Sequence, residues 1–125
     1  MDEDVVRSVM QDWWDRVWRD GDVDAVDELV TDPYTRHTRS GNEVISRAEY
    51  KERLVQFQRV LRGAVTSVDD EVVVGDKIWQ RATSRGVSLE TGERAVFTWM
   101  VIHRIEDGRI AESWVATIPD VEWTG

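Results

Sequence analysis

The 125-residue sequence has no cysteine, which excludes disulfides and thiolate chemistry and leaves the redox compartment open. Its two histidines, His37 and His103, lie far apart, with no HxH or HxxxH spacing to suggest a metal site. There is neither a G-x-S-x-G nucleophile elbow nor a glycine-rich phosphate loop, so serine-based covalent catalysis and nucleotide binding have no motif behind them. No cofactor is expected. No apolar run approaches the ~20 residues that cross a bilayer, and the acidic opening MDEDVVRSVM is unlike a secretory signal. A soluble, cytoplasmic protein is expected. Basic residues are few as well, 16 against 25 acidic ones for a formal net charge of −9. A nucleic-acid backbone or an anionic membrane is therefore repelled overall, and neither is expected as a partner.

What is abundant is tryptophan, with 7 residues spread over at least four predicted elements. They either fill a core or wall a ligand pocket, since cavities for small molecules are lined mainly by such side chains. The length suits a single domain over residues 1–125, enough to bury about two-thirds of its unfolded surface.

Asp2, Glu3 and Asp4 suit a helix N-terminus, where the backbone dipole favours negative charge. Val6, Met10, Trp13 and Val17 then repeat at helical spacing, with Trp14 and Trp18 widening the stripe, so a helix is predicted to about Arg19, closed by Gly21. Asp22 caps a short second helix with Val23, Val26, Leu29 and Val30 on its inner face, and Asp32-Pro33 blocks its continuation. Tyr34–Asn42 reads as a brief strand or loop. Ser46 and Glu49 form a capping box for a third helix whose stripe is Tyr50, Leu54, Phe57 and Leu61, with Gly63 as its C-cap. From Ala64 the period changes to two, and turns at Gly75-Asp76, Thr91-Gly92 and Asp107-Gly108 divide four long strands. The predicted fold class is α+β: a curled antiparallel sheet of about four long strands plus a short one, wrapped around three N-terminal helices into a cone with an internal pocket, the cystatin-like arrangement.

The last hairpin carries the candidate site. Asp107-Gly108 is a strong signal for a type I′ turn, because both central residues need positive φ. An uninterrupted register from Glu106 and Arg109 opposes Ile105 to Ile110, His103 to Glu112, Val101 to Trp114, Trp99 to Ala116 and Phe97 to Ile118. One face then holds aromatics and a single acid–base pair, His103 with Glu112. The other is also mostly apolar and offers Val96, Met100, Ile102 and Val115 as a homodimer surface.

The element order, together with Tyr34-Thr35-Arg36-His37, Gly75-Asp76-Lys77-Ile78 and the phrase from Arg104 to Trp114, resembles the SnoaL-like polyketide cyclase branch of the nuclear-transport-factor-two-like superfamily. The resemblance implies a cone that binds a hydrophobic small molecule, a dimer through the outer sheet face, and a pocket acid–base pair. It implies a Tyr-x-x-His motif in Tyr34 and His37, near the cavity mouth. Many relatives carry aspartate one or four residues after the last-strand tryptophan, or three before the arginine matched by Arg104; this chain has Val115, Ile118 and Val101 there.

His103 is the expected general base, with Glu112 opposite to orient it and raise its pKa. Asp120, after Pro119, is a further candidate acid, or else a solvated turn residue. Trp14, Trp18, Tyr34, His37, Tyr50, Phe57, Phe97, Trp99 and Trp114 are the candidate substrate-binding residues; a core role is open for Trp13 and for several of these. Three functions follow from different classes. The first is a cofactor-independent enzyme that abstracts a proton beside a carbonyl of a polyketide- or terpenoid-like molecule, with cyclisation, isomerisation or dehydration. The others are a non-catalytic binding module that lost the usual aspartate, and a dimeric structural domain with a filled core.

Overall fold

The computed structural model describes residues 2–123. Helix α1 (Glu3–Asp12) opens on Asp2, whose carboxylate accepts the amide hydrogen of Asp4 at 2.9 Å. It runs on as a π-helical segment, Trp13–Arg19, and not as the α-helix the periodicity predicts. The wider i→i+5 winding puts residues five apart on one face, so Trp13 and Trp18 meet edge to face at 6.4 Å, and Trp13, Trp14, Val17 and Trp18 are all buried. A 3₁₀ turn (Val23–Ala25) leads into α2 (Val26–Leu29).

Strand β1 (Val30–Thr38) starts earlier than predicted, because Val30 is already extended at φ −130° and ψ 141°. Pro33 is accommodated where the pairing with β6 is irregular, between Val30 and Thr35, so the missing N–H interrupts no ladder bond. β2 (Gly41–Ile45) folds back on β1, and α3 (Arg47–Phe57) is capped by Ser46, which accepts from the Glu49 amide at 3.1 Å. The helix stops at Phe57, so Gly63 lies inside the next strand and caps nothing. β3 (Arg62–Val74), β4 (Lys77–Val87), β5 (Arg94–Glu106) and β6 (Arg109–Pro119) are the four long strands.

All six strands form one curled, unclosed sheet in the order β2-β1-β6-β5-β4-β3. The α+β cone stands, with two additions: the predicted short element is a two-stranded hairpin, and β1 joins β6 in parallel. Irregularities between Val68 and Asp70 in β3 and beside Arg104 and Ile105 in β5 add the extra twist that curls long strands. Gly86 is required where β4 crosses the start of β3, since a Cβ there would meet the Arg62 carbonyl oxygen at 2.4 Å.

The helices cover the concave face. Trp13 stacks on Tyr50 at 6.1 Å, Trp18 meets Phe57 at 5.2 Å, and both Trp14 and Trp18 meet Trp99 of β5. Each such pair adds about 0.5–1.5 kcal/mol beyond the area it buries. Among the described residues no helix is long and apolar enough to cross a membrane.

Candidate functional site

The type I′ turn forms as predicted, with Asp107 at φ 52° and Gly108 at φ 76° and Glu106 paired to Arg109. Two residues further on the register departs from expectation. Ile105 still faces Ile110, but Arg104 faces Glu112, which makes Ala111 an unpaired bulge residue. Ile110 and Ala111 are consecutively buried, as a bulge allows and strict alternation forbids. Every β6 side chain beyond this point sits on the face opposite to the one predicted. His103 faces Ser113, Val101 faces Val115, and Ile102 faces Trp114.

On the concave side the result is a cavity of about 650 Å³ between the helices and β1, β5 and β6. Trp14, Trp18, Tyr34, Tyr50, Phe57, Trp99 and His103, all anticipated, line it together with Arg36, Glu43, Val101 and Val115. His103 is 3% exposed, and its Nδ1 lies 2.6 Å from Ser113 Oγ, which accepts from the Tyr34 hydroxyl at 2.5 Å. The serine has one proton to give. With Tyr34 donating to it, that proton goes to His103 Nδ1, leaving the imidazole neutral with its hydrogen on Nε2. Burial, and secondarily the nearby Arg36 charge, lower the His103 pKa to about 3. Burial raises that of Tyr34, against the opposing effect of Arg36, so the phenol stays a donor. The expected raised histidine pKa is thus reversed, because a cation and a low-dielectric wall replace the carboxylate.

Arg36 lies on β1 two residues after Tyr34 and therefore on the same face. Its guanidinium carbon sits 4.8 Å from the centre of the Tyr50 ring and 5.9 Å from that of Tyr34, and Nη1 is 3.6 Å from Glu43 Oε1. Glu43 also pairs with Arg53. Among the described residues three buried side-chain polar atoms lack a partner: Trp18 Nε1, Arg36 Nε and His103 Nε2. All three residues line the cavity.

The remaining candidates lie elsewhere. Glu112 is on the convex face, with Oε2 2.7 Å from His37 Nε2 and Oε1 accepting from Arg104 Nε at 3.2 Å, so it does not pair with His103. His37 Nδ1 is 2.6 Å from Asn42 Oδ1, and its ring stacks on Trp114 at 5.0 Å. A Tyr-x-x-His spacing within one strand sets its two members three positions apart, an odd step, which puts Tyr34 inside and His37 outside. Trp114 is outside with it, in a shallower groove of about 590 Å³ that includes Trp79, Met100 and Ile102. Val115 has left the expected dimer surface for the cavity wall. Phe97 packs behind the wall against Phe57 at 5.5 Å and is not among the lining residues. Asp120 is an exposed turn residue at φ 62°, away from the cavity.

Arg36, Glu43 and Ser113 were missed. Arg36 was discoverable by counting in twos from Tyr34, whereas Ser113 required knowledge of the bulge. Among the described residues no three His, Cys, Asp or Glu side chains cluster as metal ligands.

The chain shares this fold with solved proteins. A candidate polyketide cyclase from Acidithiobacillus ferrooxidans superposes with a TM-score of 0.82 at 17% identity, over 90% of this chain and 87% of that one. A candidate polyketide cyclase from Streptomyces antibioticus gives 0.74 at 22%, over 92% and 91%. A candidate hydroxylase from Streptomyces galilaeus gives 0.75 at 13%, over 90% and 74%. Such identities establish the fold and leave the reaction open. No curated protein matches the chain. The family profile of the SnoaL-like domain, however, matches residues 10–113, from the tryptophan-bearing helix to the serine that partners His103. By that match the protein belongs to the SnoaL-like domain family.

Proposed function

We propose that the protein is a cofactor-independent enzyme that activates a carbonyl compound inside the cone. The observation that carries this reading is the buried chain Tyr34–Ser113–His103, which ends in an unpartnered Nε2 on a cavity wall of aromatic rings. The Nε2 hydrogen binds the substrate's carbonyl oxygen. As a base removes the proton from the adjacent carbon, the C–H electron pair moves into the enolate and its charge settles on that oxygen. The Nε2 proton stays on the neutral imidazole, which Tyr34 and Ser113 hold in this tautomer, and the enolate charge is stabilised by that hydrogen bond. Glu43, the one carboxylate among the lining residues, receives the carbon-bound proton. Ring closure, isomerisation or dehydration can follow from the same enolate.

The test needs no natural substrate. Exchange of α-hydrogens for deuterium in 2-tetralone and other cyclic ketones, followed by NMR in deuterated buffer, is expected to run above the buffer rate. It is expected to fall about 100-fold in His103→Gln. Undiminished exchange in that variant removes His103 from the mechanism.

One observation supports a second reading, a non-catalytic binding module: Val101 and Val115, at places where relatives carry aspartate, line the wall as apolar side chains. Quenching of tryptophan fluorescence by the same ketones without exchange selects it. For the convex face, where Val72, Trp79 and Met100 are 53%, 38% and 46% exposed, we propose a homodimer contact. A monomer by light scattering at micromolar concentration contradicts that.

A further inference from the structure

The hydrogen-bonded chain that joins Tyr34, Ser113 and His103 can run in two directions, and they give the imidazole opposite chemistry. Each hydroxyl has one hydrogen to give, and a neutral histidine carries one ring hydrogen on either nitrogen. Run from Tyr34, the chain delivers the Ser113 hydrogen to Nδ1 and leaves Nε2–H as a donor. Run from His103, it gives the ring hydrogen to Ser113, turns the Ser113 hydrogen to Tyr34 and leaves Nε2 a bare acceptor. Both directions contain the same two bonds, so the number of bonds does not choose between them. Nor does solvent, because Tyr34, Ser113 and His103 are only 1%, 0% and 3% exposed.

What differs is where the Tyr34 hydrogen goes. In the second direction it must find an acceptor other than Ser113, on a side of the ring where a cation sits. Arg36 follows Tyr34 by two residues on the same face of β1, with its guanidinium carbon 5.9 Å from the centre of the Tyr34 ring. A guanidinium has five hydrogens to give and no lone pair to receive one. Tyr50, whose ring meets that of Tyr34 edge to face at 4.9 Å, lies under the same cation at 4.8 Å. A fixed positive charge turns a hydroxyl dipole so that the oxygen faces it and the hydrogen points to the other partner, here Ser113. The charge is felt at both ends of the chain. Burial raises the Tyr34 pKa and the Arg36 charge opposes it, while burial lowers that of His103 and the Arg36 charge adds to the effect. Glu43 Oε1, 3.6 Å from Arg36 Nη1, and the two tyrosine rings hold the guanidinium in place.

We infer, on the reading of His103 Nε2 as the donor to a substrate carbonyl, that Arg36 is the positioning residue that fixes the His103 tautomer. It acts through Tyr34 and Ser113, giving the chain its direction. Without that charge the two directions compete, and Nε2–H is no longer the sole form of the neutral ring.

Long-range proton–nitrogen correlation spectra of the full-length protein, labelled with nitrogen-15 in its histidines and held at pH 7.5, read the tautomer directly, with His37→Gln assigning the two rings. The wild type is expected to show His103 wholly as Nε2–H. Arg36→Met is expected to move roughly half or more of the His103 rings to Nδ1–H. Arg36→Lys, which keeps a cation that can only donate, is expected to hold the wild-type tautomer. Tyr34→Phe, which cuts the link, is expected to give one mixture of tautomers whether or not Arg36 is also replaced. Arg36→Gln, a neutral amide that gives and accepts alike, takes the place of Arg36→Met if that variant does not fold. Exchange of the α-hydrogens of 2-tetralone is expected to fall in step with the Nε2–H fraction and to be retained in Arg36→Lys. A wild type with its hydrogen on Nδ1, an unchanged tautomer on neutral replacement of Arg36, or a dependence on Arg36 that persists in Tyr34→Phe overturns the proposal, whatever the exchange rates. A tautomer that follows Arg36 in a wild type that exchanges no ketone hydrogen upholds it and removes the enzyme reading instead.

Discussion

Ser113 and Glu112 are neighbours in β6, and each serves a histidine, yet the two histidines are in opposite states. His103, on the concave side, has Ser113 on one nitrogen, nothing on the other, and Arg36 nearby, so it stays neutral until about pH 3. His37, on the convex side, has the oxygen of Asn42 on one nitrogen and the carboxylate of Glu112 on the other, an arrangement that only the doubly protonated ring satisfies. Its pKa is raised, first by Asn42 and then by Glu112. Identical side chains thus become a neutral donor and a structural cation according to which face of one sheet they occupy. The face is set by a single extra residue, Ala111.

Adding one residue beside it breaks the comparison at its root. With the one-residue bulge kept, an alanine inserted between Ala111 and Glu112 moves Glu112 opposite His103 and Trp114 opposite Val101, turning both inward into space already filled, and takes Ser113 from both Tyr34 and His103, whereas deletion of Ala111 keeps Ser113 opposite His103. A loss of at least about 4 kcal/mol in unfolding free energy is expected, read from urea denaturation followed by circular dichroism. Near-native stability would mean that the bulge does not set the faces.

The acid limb of stability separates the two histidines next. A folded pKa of about 3 for His103, against roughly 6.5 in the unfolded chain, lets the unfolded state bind the proton first as pH falls. Its contribution is therefore full above the unfolded value and is lost progressively down to the folded one. Relative to His103→Gln, which has no such proton to bind, the wild type is expected to lose about 3 kcal/mol between pH 7 and pH 4. A gap between the two proteins that does not change with pH would show that His103 is not held neutral.

Periodicity made much of this legible and stopped at a definable point. Helical spacing located the tryptophan face, Ser46 marked the third helix, and Asp107-Gly108 placed the hairpin turn, because each of these signals is local. The π-helical winding at Trp13–Arg19 was hidden because its buried residues, Trp13, Trp14, Val17 and Trp18, satisfy an α-helical stripe equally well. The bulge was hidden for a related reason. Both faces of β5 and β6 are rich in apolar residues, so a one-residue slip exchanges one plausible face for another and alternation cannot choose between them. What the hairpin alone suggested, His103 opposite Glu112, was wrong for that reason only. The Tyr34–Ser113–His103 chain depends on both the bulge and the parallel pairing of β1 with β6, and neither is local.

The smallest expected effects belong to the convex cluster, where His37 and Glu112 side chains are 25% and 23% exposed and solvent screens them. His37→Gln and Glu112→Gln are each expected to cost less than about 1 kcal/mol. Their interest lies in how they depend on pH. The raised pKa of His37 makes its contribution full below the unfolded histidine value and lost as pH rises through the folded one. Glu112 has a lowered pKa, chiefly through its bond to His37, so its contribution is full above the ordinary carboxylate value and lost as pH falls through the folded one. The pair is consequently strongest in the window between, where acid has not reached the carboxylate and base has not reached the ring. An NMR titration of the two histidine rings in one sample tests this directly. The His37 midpoint is expected above the ordinary histidine value, and lower in both Glu112→Gln and Asn42→Ala, while the His103 signals stay flat from pH 8 to pH 5. Were His103 to titrate in that range, or His37 to keep its midpoint in both variants, the two faces of β6 would not differ in the way their neighbours require.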